Sequence, residues 1–179
     1  MSVTPWWTAL VAGLCLAGVA PRTAAAQPVG EYPIKAAFLY NFTLFVEWPA
    51  EAVSAGSFVI GVVGDDAFAD VLAETVRTKT VHGNRVEVRR LNVVDDPRNC
   101  RLVFVSAGAD RRNTVPRRAR GAPILTVGET ADFLQDGGVI RFLIENAQLR
   151  FQLNVNAATE ARLTISSRLR AIAAPNDTP

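Results

Sequence analysis

The stretch IKAAFLYNFTLFVEWP, Ile34 to Pro49, constrains the fold more than any other. It holds five aromatic residues (Phe38, Tyr40, Phe42, Phe45 and Trp48) and only two charges, Lys35 and Glu47. Ile34, Phe38, Phe42 and Phe45 recur at helical spacing, which predicts a helix over Tyr32–Val46 with those residues on one apolar face. The opposite face, carrying Ala36, Leu39, Tyr40, Thr43 and Val46, is hardly more polar. A helix apolar on nearly all sides has to be covered on nearly all sides. Trp48-Pro49 ends it, because the residue before a proline avoids the helical region. The covering is either a sheet of the same chain, which makes the segment plain core, or in part a subunit or partner. For that second covering Tyr40, Phe45 and Trp48 are the candidate contacts, since aromatic side chains gather at the centres of interfaces.

Ahead of this segment, Thr8–Ala20 is an apolar run too short to span a bilayer, and small residues follow up to Ala26. Residues 1–26 therefore read as a secretory signal peptide, with an uncleaved membrane anchor as the alternative, since no Lys or Arg precedes the apolar run and Trp6 and Trp7 stand there instead. Leu14 before Cys15 argues against a lipid anchor, which wants a small residue at that place. What remains is about 153 residues, enough for one domain with a sizeable core. We assign 27–173 to that domain and 174–179 to a flexible tail. With Arg22 removed, 18 basic side chains face 17 acidic ones, a balance that disfavours nucleic acid as the main partner. One cysteine, Cys100, is left; a lone thiol makes no internal disulfide, so it is a buried small hydrophobe or else an intermolecular or redox-active group.

The apolar run Phe58–Val63, a Gly-Asp-Asp turn and an amphipathic stretch to Val76 form strand, turn and helix, with Asp65 or Asp66 as cap. A turn at His82–Asn84 leads into a strand with Val86 and Val88 on its drier face. Arg101–Ala107 and Ala122–Glu129 are further strands. Between them Ala109–Arg120 holds a short helix broken or restarted at Pro116, and TADFLQDGG reads as a second short helix closed by Gly137-Gly138. Val139–Val155 alternates on both sides of ENAQ, the pattern of an antiparallel hairpin. Asn156–Ala173 reads as one terminal helix capped by Asn156, with Ala158, Ala161, Leu163, Ile165 and Leu169 inward. The expected fold is α/β: a single domain with a mixed, mostly parallel sheet, helices on both faces and a late antiparallel hairpin.

Catalytic equipment is sparse. One histidine and one cysteine exclude zinc with its usual ligand sets, and His82 sits in a turn where solvation explains it. GVVGDD lacks both the dinucleotide glycine pattern and the lysine of a phosphate loop, and its two carboxylates would repel an anion. No catalytic residue, metal or cofactor is assigned. Ligands of open α/β sheets settle at the carboxyl ends of the strands, where Asp65, Ser106 and Gly128 are the candidate rim. Five arginines between Arg111 and Arg120 form a solvated face or a rim for an acidic partner or membrane surface; without interleaved aromatics they suit nucleic acid poorly.

The blocks KAAFLYNFTLFVEWP, FVIGVVGDDAF, CRLVFVS and ILTVGETADFLQDGGVIRFLIENAQLRFQLNVNAATEARLTISSRL resemble the YfiR family in order and spacing, from Lys35 to about Leu169. The resemblance implies a periplasmic regulator of mixed α/β fold, typically a homodimer, without insertion of the mature chain into the membrane. It implies as partner the periplasmic sensor region of an inner-membrane diguanylate cyclase or, in related systems, a histidine kinase. Binding holds the cyclase inactive; release raises cyclic di-GMP and favours biofilm. Members of that family can carry disulfides tied to redox state, and here the single Cys100 leaves no such bridge. A carrier of a small ligand without a cyclase partner is the alternative.

Overall fold

Six consecutive apolar residues can be satisfied only by a strand buried on both faces, and Phe58–Val63 is such a strand in the computed structural model, which describes residues 30–53 and 56–175. In chain order the elements are α1 (Glu31–Phe45), β1 (Val46–Glu47), α2 (Ala50–Val53), β2 (Phe58–Val63), α3 (Asp66–Val76), β3 (Thr80–Val81) and β4 (Asn84–Leu91). There follow β5 (Leu102–Val105), α4 (Thr114–Ala119), β6 (Leu125–Gly128), β7 (Ile140–Glu145), β8 (Gln148–Leu153), α5 (Val155–Glu160), β9 (Thr164–Ile165) and α6 (Ser167–Ile172). Seven strands form one sheet in the order β3-β4-β2-β5-β6-β7-β8. The five from β4 to β7 run parallel, while β3 and β8 add antiparallel edges. β1 and β9 pair separately, Val46 opposite Ile165.

Side chains alternate across β2, so Phe58, Ile60 and Val62 enter one core and Val59 and Val63 the other. The first core takes Leu39 and Phe42 of α1, Phe68 and Leu72 of α3, and Phe142 and Phe151 of the hairpin. The second is smaller, with Val103, Val115 and Phe133 beside Cys100. Helices thus cover both faces, as the strand–helix alternation requires. Burial pushes the Cys100 thiol up to about 11. We expect its alkylation in the native protein to be at least about a hundredfold slower than in urea, because the reactive thiolate is both scarce and covered; ellman-type thiol titration reads it directly.

Three local expectations are corrected. Pro116 does not break a helix: it lies in the first turn of α4, where backbone N–H groups lack intrahelical acceptors anyway. TADFLQDGG is a series of turns, because Phe133 plunges into the second core between Gly128 and Gly138, where a Cβ on either glycine would overlap its ring. The final stretch is two short helices. Asn154, two residues before the cap expected, accepts from Ala157 N, and Arg162 at φ 57 ends α5. Thr164-Ile165 then extend to pair with β1, and Ser166 caps α6. The inward set Ala158, Ala161, Leu163, Ile165 and Leu169 is buried as a whole. The hairpin turns at Asn146-Ala147, both at positive φ, the arrangement that matches the twist of two-residue hairpins. The chain is held as far as Pro175: Ala174 N donates to Phe151 O, and Gln152 Nε2 donates to Pro175 O. The signal peptide expected over 1–26 and the end of the tail lie outside the described residues.

Candidate functional site

α1 is the element that joins the sheet to the surface. Its inward side is Lys35, Ala36, Leu39, Phe42 and Thr43. Phe42 stacks on Phe142 with ring centroids 5.7 Å apart and meets Phe151 edge-on at 5.0 Å. Of the face expected inward, only Phe42 is fully enclosed; Phe38 and Phe45 are half-buried and Ile34 is 51% exposed. The helix is rolled relative to the apolar-stripe expectation so that a lysine points in.

That roll is explained at the carboxyl ends of the parallel strands. The Lys35 ammonium lies between the carboxylates of Glu31, one turn back, and Glu129, just past β6. Burial acts to lower its pKa, but the hydrogen bonds and charges of Glu129 and Glu31 prevail and the net direction is up. Glu129 also accepts from Ala107 N at 3.0 Å. Beside this group Asp65 caps α3 through Phe68 N at 2.9 Å and accepts from the Tyr32 hydroxyl at 2.9 Å. Burial first, and then the Asp65 bond, push the Tyr32 phenol above its ordinary value. Asp65, Ser106 and Gly128 stand at the carboxyl ends of β2, β5 and β6, where Tyr32 and Lys35 come down from α1 and Phe133 lies against Gly128. The rim is a clasp that fastens the first turns of α1 to the sheet.

Trp48 belongs to the core rather than to a contact surface. It is 7% exposed, packs edge-on to Phe58 at 5.1 Å and donates Nε1–H to Arg101 O at 3.2 Å. Tyr40 is half-buried, its hydroxyl 3.5 Å from Thr80 O and its ring 5.7 Å from the Lys79 ammonium. Phe45 is half-buried, and its carbonyl accepts from Ser166 N. The surface that the aromatic pattern concealed consists of Ile34, Ala37, Asn41 and Leu44, all exposed and uncharged, with Leu44 53% exposed. Their 3-4-3 spacing was legible once Lys35 is taken as inward. α6 and β8 pack alongside α1.

The arginine-rich segment is mostly occupied. Arg118 donates to the carbonyls of Val93, Val94 and Asp95, Arg117 pairs with Asp136, and Arg120 reaches Glu160 at 3.9 Å. The Arg117 and Asn113 bonds hold the Asp136 carboxyl below its usual range. Arg111 and Arg112 remain exposed. His82 is exposed in its turn, and among the described residues no group of three or more His, Cys, Asp or Glu is placed to hold a metal ion.

The YfiR/HmsC-like family model (DUF4154) matches residues 32–174. The chain belongs to this family. The matched span includes the clasp apart from Glu31, the outward strip of α1 and the hairpin that α1 covers. Among solved structures, a conserved domain protein from Vibrio cholerae O1 biovar El Tor strain N16961 is similar at 12% identity with a TM-score of 0.56, over 80% of this chain. The likeness is one of fold, and the chain spans 59% of that protein's length. No curated protein matches the sequence. Among the described residues no helix is long and apolar enough to cross a membrane.

Proposed function

We propose that the protein is a periplasmic regulator that represses a membrane-bound diguanylate cyclase, or a related signalling protein such as a histidine kinase, by binding its periplasmic sensor region. Repression of this kind lowers cyclic di-GMP and restrains biofilm formation. Membership of the YfiR/HmsC-like family supports the regulatory class. The observation that carries the contact reading is the uncharged outward strip of α1, presented by a helix whose inner side is clasped to the sheet. No covalent step is needed. A protein that binds one conformation of the sensor better than another shifts the balance between them by that difference, about 1.4 kcal/mol for each tenfold. A carrier of a small ligand without a cyclase partner is the alternative; its ligand would have to enter the strand ends beside Tyr32, Lys35 and Phe133.

The test is capture of the purified periplasmic sensor region of a membrane diguanylate cyclase from the same organism. Ile34→Asp and Leu44→Asp are each expected to weaken capture tenfold or more, as charges forced into an apolar contact do. Because both positions are half-exposed, thermal stability should stay within about 0.5 kcal/mol of the parent. Binding that both substitutions leave intact would remove α1 from the contact, and no binding by the parent would defeat the proposal.

A further inference from the structure

We propose that the layer covering the second core is a docking face for an anionic phospholipid bilayer, with Arg111 and Arg112 on headgroup phosphates and Val94 set among the headgroups. The proposal concerns the side of the sheet away from α1 and goes beyond the regulatory reading, on which it does not depend.

Charge divides the molecule along the sheet. Val86 and Val88 of β4 pack toward the first core, so the alternating Arg85, Glu87 and Arg89 stand on the second-core side. Arg90 turns back to the first side, where Asp66 and Asp70 of α3 take it up. With Glu74 these two carboxylates make the exposed face of α3 acidic. The second-core layer consists of the segment 92–99, α4 and the turns on either side of α4. It carries Arg98, Arg111, Arg112, Arg117, Arg118 and Arg120.

The acids of that layer are mostly engaged at home. Asp110 is 3% exposed and accepts from Val115 N and Thr114 Oγ1. Asp95 accepts from Asn92 N at 2.7 Å, Asp96 from Arg98 N at 3.0 Å, and Asp136 is taken by Arg117 and Asn113. Asp132 is exposed. Arg111 and Arg112 are exposed too, and their guanidinium groups have no protein partner among the described residues.

The same layer holds out an apolar side chain. Val94 is 82% exposed, yet its turn is anchored: Asp95 N donates to Asn92 O at 3.0 Å, and the Arg118 guanidinium donates to the carbonyls of Val93, Val94 and Asp95. α4 is only about 9 Å long, so Arg111 and Arg112 ahead of its start and the Val94 turn at its end act on one patch of surface. Unpaired arginines beside a projecting apolar residue match a bilayer surface, where phosphate lies outside and acyl chain beneath. Each arginine brought to such a surface raises partition about fivefold, so a few suffice for reversible attachment. Because α1 lies over the first core, attachment leaves its outward strip free.

The test is co-sedimentation of the purified protein with vesicles of phosphatidylcholine and phosphatidylglycerol in equal parts, against vesicles of phosphatidylcholine alone. Binding is expected to the mixed vesicles only, and to be lost at about 1 M salt, where the screening length is about 3 Å. Arg111→Glu and Arg112→Glu should each weaken it about fivefold or more. Arg77→Glu makes the same charge change on α3 and should leave it within about twofold, because that face is turned away. Thermal melting checks that the variants fold. In Val94→Trp the added indole should shift its emission to the blue with mixed vesicles. No binding by the parent, an equal loss from Arg77→Glu, or an indole that stays in water overturns the proposal. Vesicle binding without capture of the sensor region sinks only the regulatory reading, and capture without vesicle binding sinks only the docking face.

Discussion

Lys35→Met is expected to destabilise the protein by about 3–5 kcal/mol, the usual cost of removing one member of a buried ion pair. Since small domains hold only about 5–15 kcal/mol in all, that loss should be plain in urea unfolding. Lys35 is 7% exposed, and its ammonium is the positive charge between Glu31 and Glu129. Without it two carboxylates face each other at the rim, and Glu129 is still tethered to Ala107 N. Removing charge on both sides, in Lys35→Met with Glu129→Gln, should return most of the loss, and the double-mutant cycle measures the coupling. The sign with pH follows from the raised folded pKa. The contribution is fully present below the unfolded lysine value of about 10.4 and is lost as pH climbs through the higher folded one. Stability of the parent should therefore fall in the alkaline range above roughly pH 10, and part of that fall should vanish in the methionine variant.

Phe42→Ala should cost a similar 3–5 kcal/mol, because the ring is enclosed and a phenyl-sized cavity would open between α1 and the hairpin. Ile34→Ala should cost less than about 0.5 kcal/mol. The two residues lie on the same apolar stripe of the sequence, so the contrast between them, read from paired urea curves, measures how the helix is rolled. Equal losses would mean that Ile34 is covered in solution.

The sheet was readable because buried strands leave continuous apolar runs. Phe58–Val63, Arg101–Ala107 and the alternating hairpin need no tertiary information to be recognised. α1 was readable as a helix but not in its rotation. A segment apolar on all sides carries no moment to orient it, and the orienting contact, Glu129, stands 94 positions after Lys35. The rim positions Asp65, Ser106 and Gly128 followed from strand ends alone, yet whether that space is open depends on Tyr32 and Phe133, which belong to other elements. Trp48 shows the same limit: its indole is claimed by Arg101 O, a backbone atom that no side-chain pattern announces. The terminal stretch failed differently. Its inward residues were right because they are apolar, but the partner strand that straightens Thr164-Ile165 is β1, at the far end of the chain.

That pairing of β1 with β9 has a consequence for how the molecule comes into being. Val46 needs Ile165, Phe45 O needs Ser166 N, and Glu51 meets Arg162, so α1, the first described helix, is not closed off until residues 162–166 have been made. Contacts so distant in sequence form late and slowly. An amino-terminal portion of this design therefore stays open, with its first pairing strand unsatisfied, until residues 162–166 become available to close over it.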